Sequence, residues 1–250
     1  VISDFRSRDM AAGGEGAPLA PFVDGILFGS PTLGRIVQNI GGIGNATVVP
    51  AGAQAEDLLA FDTGPGNMIM DAVVDLGSGG LHQYDPEGSI GALGRVDETL
   101  VQQFLQDEYF RRTPPKSTGR EVYGAEFAAA FVAQAAAKGL SFADQVATAT
   151  AFTAESIARA YKDFILPKTK IAEVLVAGGG AKNPTLLNML RKRLPSDILV
   201  TTTTERGVPD DAREAMAFAV MGHEALMGRP GNLPAVTGAR DSVILGCLTL

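Results

Sequence analysis

The chain has 250 residues, 46% hydrophobic and 20% charged, a balance that supports a buried core and excludes wholesale disorder. Its net charge of −7 argues against a broad nucleic-acid-binding face. One cysteine, Cys247, and two distant histidines, His82 and His223, exclude an intrachain disulfide, a cysteine metal cluster and a His-rich metal site, and weigh against a Ser-His-Asp triad. Cys247 reads as a small buried residue and the histidines as structural or solvent-facing. No apolar run approaches the ~18 residues of a membrane span. The start of the chain lacks a signal-peptide pattern, so the expectation is a cytoplasmic protein with no membrane partner. Glycine is abundant, 30 of 250 residues. Many glycines should therefore sit in structural turns or ligand loops.

In chain order, Val1-Ile2 reads as the end of a strand entered in mid-domain. The charges Asp4, Arg6, Arg8 and Asp9 follow, and a solvated, salt-bridged face is the plain reading. A glycine-rich loop over 11–18 leads to a helix over about 19–28. Three short strands come next, around Ile36-Val37, Ala46 to Val49 and Leu58 to Phe61, bounded by Gly, Asn and Pro and close enough for hairpins. After Gly66 the pattern turns helical. The middle is mostly helical, with Asp97 as an N-cap, a polar interruption at 113–121, Gly139 past a helix end, and Ser141 with Asp144 as a capping box. In the last third, a strand at Val174 to Ala177 meets Gly178-Gly179-Gly180. Asn183-Pro184 then caps a helix, Ile198 to Val200 is a strand, and Pro209 opens a helix ended by Gly228. A meander followed by strand–helix alternation predicts an α/β fold.

Three loops share one design, a short apolar strand followed by Gly and Asn: 39–45, 62–67 and 178–183. Glycine lets backbone N–H groups approach a phosphate, and helix N-termini favour anions. Neither GxxxxGK(S/T) nor a strand-borne GxGxxG occurs, so the standard nucleotide motifs are absent. Asp62 ends an apolar strand, where a carboxylate points into whatever cleft lies at the strand ends; an Asx-turn or helix cap is the alternative. Glu214 lies in the first turns of a helix, where it suits the dipole or a ligand. Lys116, Ser117, Thr118 and Arg120 fit a phosphate or a plain polar loop equally.

Longer motifs occur in order: Asp4-Phe-Arg, Gly14-Glu-Gly-Ala-Pro18, Asn39-Ile-Gly-Gly-Ile-Gly-Asn45, Phe61-Asp-Thr-Gly-Pro-Gly-Asn-Met-Ile-Met-Asp71, Pro115-Lys-Ser-Thr-Gly-Arg-Glu121, Val176-Ala-Gly-Gly-Gly-Ala-Lys-Asn183, Glu214-Ala-Met-Ala-Phe218 and Pro230-Gly-Asn-Leu-Pro-Ala-Val-Thr-Gly238. Together they resemble the 1,6-anhydro-N-acetylmuramic acid kinase family from first residue to last. The resemblance implies an actin/hexokinase-like fold, with two RNase H-like domains around a cleft. Residues 1–34 would be the remainder of the first domain. Residues 35–250 would be the second, with a helical insertion at about 95–165 and a C-terminal segment able to return to the first. Family members begin with a glycine- and serine-rich phosphate loop that is absent here. The expectation is therefore a chain lacking roughly the first third, with an incomplete first domain and an unpaired sheet edge.

The implied reaction is hydrolytic opening of the anhydro ring with phosphorylation of O6 by ATP, giving N-acetylmuramic acid 6-phosphate and ADP in cell-wall recycling. Asp62 matches the general base. Arg6, Glu214 and Asp4 match sugar contacts, and Gly41, Gly42, Asn45, Gly64, Gly178, Gly179, Gly180 and Asn183 match nucleotide elements. Mg²⁺ would be held mainly by nucleotide phosphates and water, with no protein metal site. The implied partners are a small-molecule sugar, ATP and a second copy in a homodimer. The alternatives are a kinase of another 1,6-anhydrosugar such as levoglucosan, and a non-catalytic sugar- or nucleotide-binding remnant.

Overall fold

The computed structural model describes residues 1–249, with Asp211 described by its backbone alone; Leu250, the final residue of the second expected domain, lies outside the described residues. At the start, β1 (Ile2–Ser3) precedes α1 (Ser7–Ala11) and α2 (Ala20–Phe28). A meander of β2 (Arg35–Ile40), β3 (Ile43–Val49) and β4 (Leu59–Pro65) leads into α3 (Asn67–Gly77). The helical stretch holds α4 (Glu98–Phe104), α5 (Arg120–Tyr123), α6 (Ala125–Ala137) and α7 (Phe142–Phe164). The chain ends with β5 (Glu173–Ala177), α8 (Pro184–Arg193), β6 (Leu199–Thr202), α9 (Asp210–Leu226), α10 (Pro234–Thr237) and β7 (Cys247–Leu248).

The helix boundaries follow from local chemistry. Asp97 accepts from Leu100 N–H at 2.8 Å and starts α4. Ser141 and Asp144 form a reciprocal capping box that starts α7. Asn183 accepts from Leu186 N–H at 2.9 Å, with Pro184 at the first position of α8. Gly139 takes the left-handed conformation (φ 73°) that closes α6.

The central sheet has the order β4-β3-β2-β5-β6. β2, β3 and β4 pair antiparallel, whereas β2–β5 and β5–β6 are parallel. A three-stranded meander extended by two parallel strands through helical crossovers is the arrangement of an RNase H-like domain. The period of two in β2 sends Ile36 and Ile40 to one face and Val37 to the other. On the first face α3, α4, α6, α7 and α8 build one continuous apolar core. Within it Phe152 lies 5.9–6.3 Å, ring to ring, from Phe104, Phe110, Phe127 and Phe131. The second face carries separate small clusters: Phe28, Val37, Leu175 and Val208; Val49, Leu58 and Leu233; and Phe5, Val23, Met221 and Leu245.

β1 pairs antiparallel with β7, Ile2 opposite Leu248 and Ser3 opposite Cys247, in a two-stranded sheet of its own. Cys247 is thus exposed, not buried, because little else covers this ribbon. The cluster at the chain start also departs from expectation. Asp9 is fully buried, accepting from Gly16 N–H (2.9 Å), Asn232 Nδ2 (2.6 Å) and Thr237 Oγ1 (2.7 Å). A buried carboxylate must be satisfied by donors, and here they come from both ends of the chain. Among the described residues no helix is long and apolar enough to cross a membrane.

Candidate functional site

The three glycine loops meet at one end of the central sheet, because β2 and β5 end there while β3 begins and β4 ends there. Gly41 and Gly42 form the tight turn between β2 and β3, and their carbonyls accept from Asn67 N–H (2.7 Å) and Gly66 N–H (2.8 Å). Asn67 Nδ2 donates to Ile40 O at 3.1 Å. Gly178 has φ 79°, and a Cβ there would fall 2.8 Å from both Asn39 Oδ1 and Ile40 O. Glycine is required at that junction by conformation and by space alike.

β4 runs further than its apolar residues suggest, through Asp62 and Gly64 to Pro65. Asp62 lies opposite Asn45, next to a bulge at Gly44/Asn45. It is half-buried in the wall of a cavity of about 1140 Å³ whose lining includes Asp4, Arg6, Glu15, Asn45, Lys116 and Glu214. Burial pushes the Asp62 carboxyl above the usual carboxylate range; a hydrogen bond from Thr118 N–H opposes this and the charge of Glu121 adds to it. Arg6 donates to Gly16 O at 2.8 Å, and Asp4 Oδ1 accepts from Ser7 N–H at 3.2 Å. Hydrogen bonding from the Ser7 side chain first, and from its N–H second, holds the Asp4 carboxyl below the ordinary value.

α9 joins the loops to the opposite wall. Asp210 Oδ1 accepts from Gly178 N–H (3.3 Å) and Thr203 Oγ1 (2.9 Å). One turn on, Arg213 pairs with buried Asp24 of α2 at 2.7 Å, and Thr47 of β3 donates to the same carboxylate at 2.9 Å. Burial raises the Asp24 carboxyl pKa, with the Arg213 charge opposing. Glu214 and Phe218 lie on the same helix, the latter 5.7 Å from the Phe5 ring.

A second cavity of about 490 Å³ lies behind the loops, lined by Asp71 and Asn67 of α3, Asp85, Gly179, Lys182 and Asn183. Burial alone pushes Asp71 up to about 6. Among the described residues no cluster of three His, Cys, Asp or Glu side chains could cage a metal ion.

A model of the anhydro-N-acetylmuramic acid kinase family matches residues 1–250. The chain belongs to the anhydro-N-acetylmuramic acid kinase family. It is 44% identical over 250 residues to the protein of that name from Caldanaerobacter subterraneus subsp. tengcongensis, covering 100% of this chain and 63% of the relative. The corresponding figures for the Salinibacter ruber protein are 45%, 100% and 62%. For the Francisella tularensis subsp. novicida protein they are 43% over 246 residues, 98% and 63%. The chain thus spans less than two thirds of the length of these relatives. Among solved structures, it resembles the activator of the 2-hydroxyisocaproyl-CoA dehydratase from Clostridium difficile with bound ADPNP (TM-score 0.48, 15% identity, 88% of this chain and 65% of that one).

Within this member of the anhydro-N-acetylmuramic acid kinase family, Asp62, Asp4, Arg6, Glu214, Asn45 and Gly178 line the larger cavity. Gly179 and Asn183 line the smaller one, although the Asn183 side chain is also committed to capping α8. Gly41, Gly42, Gly64 and Gly180 line neither cavity: Gly41 and Gly42 make the β2–β3 turn, Gly180 packs against Ile40, and Gly64 is buried against Phe110 and Ser156 of the helical face. Asp24, Asp71 and Asp210 escaped the sequence reading as site residues, since their partners or walls come from distant segments.

Proposed function

We propose that this chain supplies the sugar- and nucleotide-binding parts of an ATP-dependent kinase that opens the 1,6-anhydro ring of anhydro-N-acetylmuramic acid and phosphorylates O6. Asp62 takes a proton from a water molecule as that water attacks the anomeric carbon. The bond from that carbon to O6 breaks, and O6 takes the γ-phosphoryl of ATP, giving the 6-phosphate and ADP. Asp62 Oδ2 is engaged by Thr118 N–H, which leaves Oδ1 to receive the proton. A carboxyl raised above its ordinary range is a stronger base, and becomes available as pH rises past its pKa.

Arg6, Asp4 and Glu214, which line the same cavity as Asp62, serve the sugar; Arg6 suits a carboxylate or a ring oxygen. Gly41, Gly42, Asn45, Gly64 and Gly178 to Gly180 serve the phosphates, and the cavity beside Asn183 takes the nucleoside. Its volume of about 490 Å³ suits a ligand of that size. Mg²⁺ would be carried by phosphate oxygens and water, which it prefers to an all-protein cage. Residues 1–34 belong to one domain and 35–250 to a second with a helical insertion at about 95–165; the Phe5–Leu245 cluster and the β1–β7 ribbon, which join the start of the chain to its end, support a return of the C-terminal segment to the first domain. A homodimer in the cytoplasm is part of the same reading.

The observation that carries the reading is Asp62, a half-buried carboxylate raised in pKa in the wall of a cavity of about 1140 Å³, within a family match over the whole chain. Calorimetric titration with the anhydrosugar and with ATP, followed by a sugar-dependent ADP-release assay, tests it. Binding of both ligands with turnover is expected. Binding without turnover favours the remnant, and tighter binding of levoglucosan than of the muramate favours the other kinase.

A further inference from the structure

Asp62 lies on β4, the edge strand of the central sheet, with β3 on one side only. On the open side the segment 116–118 takes the place of a neighbouring strand. Asp62 N–H donates to Lys116 O at 3.1 Å, and Thr118 N–H donates to Asp62 Oδ2 at 2.9 Å. The Asp62 carbonyl accepts from Tyr109 Oη at 2.7 Å, so the residue is held at three points from one side. Lys116 fixes the segment in turn. Its ammonium donates to Tyr109 O at 3.2 Å and lies 4.6 Å from the Phe164 ring centroid, 4.7 Å from Tyr109 and 6.0 Å from Phe61. Cation–π contacts of this kind strengthen as water is excluded.

We propose that Lys116 and Thr118 are positioning residues for Asp62, a latch that selects which carboxylate oxygen is free and where it points. The proposal rests on the reading of Asp62 as the base. A misplacement of ~1 Å costs a reaction about 10²-fold, so a base on an edge strand needs such support. The charged or titratable groups around Asp62 are Tyr109, Lys116 and Glu121 of α5, and Asp4, Arg6 and Glu214 in the lining of the same cavity. Lys116 itself faces Asp163 and Arg159 of α7 and Arg112. Burial pushes its ammonium down to about 8, so the cage keeps its cation at neutral pH and loses it in mildly alkaline solution.

The test is a carbon-13 NMR titration of the Asp62 carboxyl, assigned with Asp62→Asn, in the wild-type chain and in Thr118→Pro, Lys116→Met and Lys116→Arg. Circular dichroism checks folding. Thr118→Pro removes the N–H that favours the ionised carboxylate, so the midpoint moves upward. Lys116→Met moves it the same way by less, and Lys116→Arg restores it. Where sugar-dependent turnover is measured, kcat falls roughly 10–100-fold in Thr118→Pro while sugar affinity holds. Folded variants that titrate Asp62 as the wild type does overturn the proposal; if Thr118→Pro does not fold, Lys116→Met decides. A moved midpoint in a chain that binds no sugar upholds the latch and overturns the kinase reading. Normal sugar binding with unmoved midpoints does the reverse.

Discussion

The two faces of the central sheet are built on opposite plans. One face is a single continuous core, in which α7 lies buried along most of its length and Phe152 makes ring contacts on several sides. The other is divided into three small apolar clusters around a cavity of about 1140 Å³, with the carboxylates of Asp9 and Asp24 buried among them. Close packing leaves no room for a ligand, whereas a divided core leaves space but must satisfy every polar group it encloses. Stability thus concentrates on the helical face and the proposed chemistry on the open one, with Asp62 on the strand that borders both.

Substitutions on each face should break different properties. The largest effect is expected of Asp62→Asn, which keeps the fold and lowers turnover by ~10²–10⁴-fold in an ADP-release assay. In the wild type the same carboxyl, raised above its ordinary range, makes activity fall as pH drops through its pKa, an acidic limb that Asp62→Asn lacks. Phe152→Ala on the closed face should cost about 3–5 kcal/mol of stability by urea unfolding, with little direct effect on ligand affinity in the folded fraction. Asp24→Ala on the open face leaves Arg213 without its carboxylate and should cost about 3 kcal/mol. Adding Arg213→Met should cost less than the sum of the two changes, since no unpaired buried charge remains.

The smallest effect is at Asp71, whose folded pKa is raised to about 6. A carboxyl raised in the folded state favours folding while protonated. Its contribution is full below the unfolded value near 4 and is lost as pH rises through about 6. Asp71→Asn should therefore match the wild type at pH 4 and exceed it at pH 7. After discounting for solvent exposure the gain is of order 1 kcal/mol, about 2–4 °C in melting temperature.

Much of this contrast was legible in the chain. Caps at Asp97, Ser141 and Asn183, the meander, and the three Gly/Asn loops are local signals, written within a few residues of where they act. Asp62 stood out because a lone acid follows an apolar strand there. The open face was harder to read. Asp9 read as a solvated charge, yet its donors Asn232 and Thr237 lie more than 220 positions away. Nothing in the sequence marked Asp24, whose partner Arg213 lies 189 residues along the chain. The Lys116 cage draws Phe61, Tyr109 and Phe164 from three elements, and Cys247 is exposed because the ribbon it joins has little cover. Pairings set by tertiary closure leave no periodic trace in sequence.

In the proposed function Asp62 acts as a base and not as an anchor for the sugar. Calorimetric titration of 1,6-anhydro-N-acetylmuramic acid into wild-type and Asp62→Asn protein, beside the turnover of each, tests it most directly. A base predicts binding to both within a few-fold, with turnover collapsing only in the variant. Loss of binding in step with turnover, or a variant that still turns over at the wild-type rate, would contradict it.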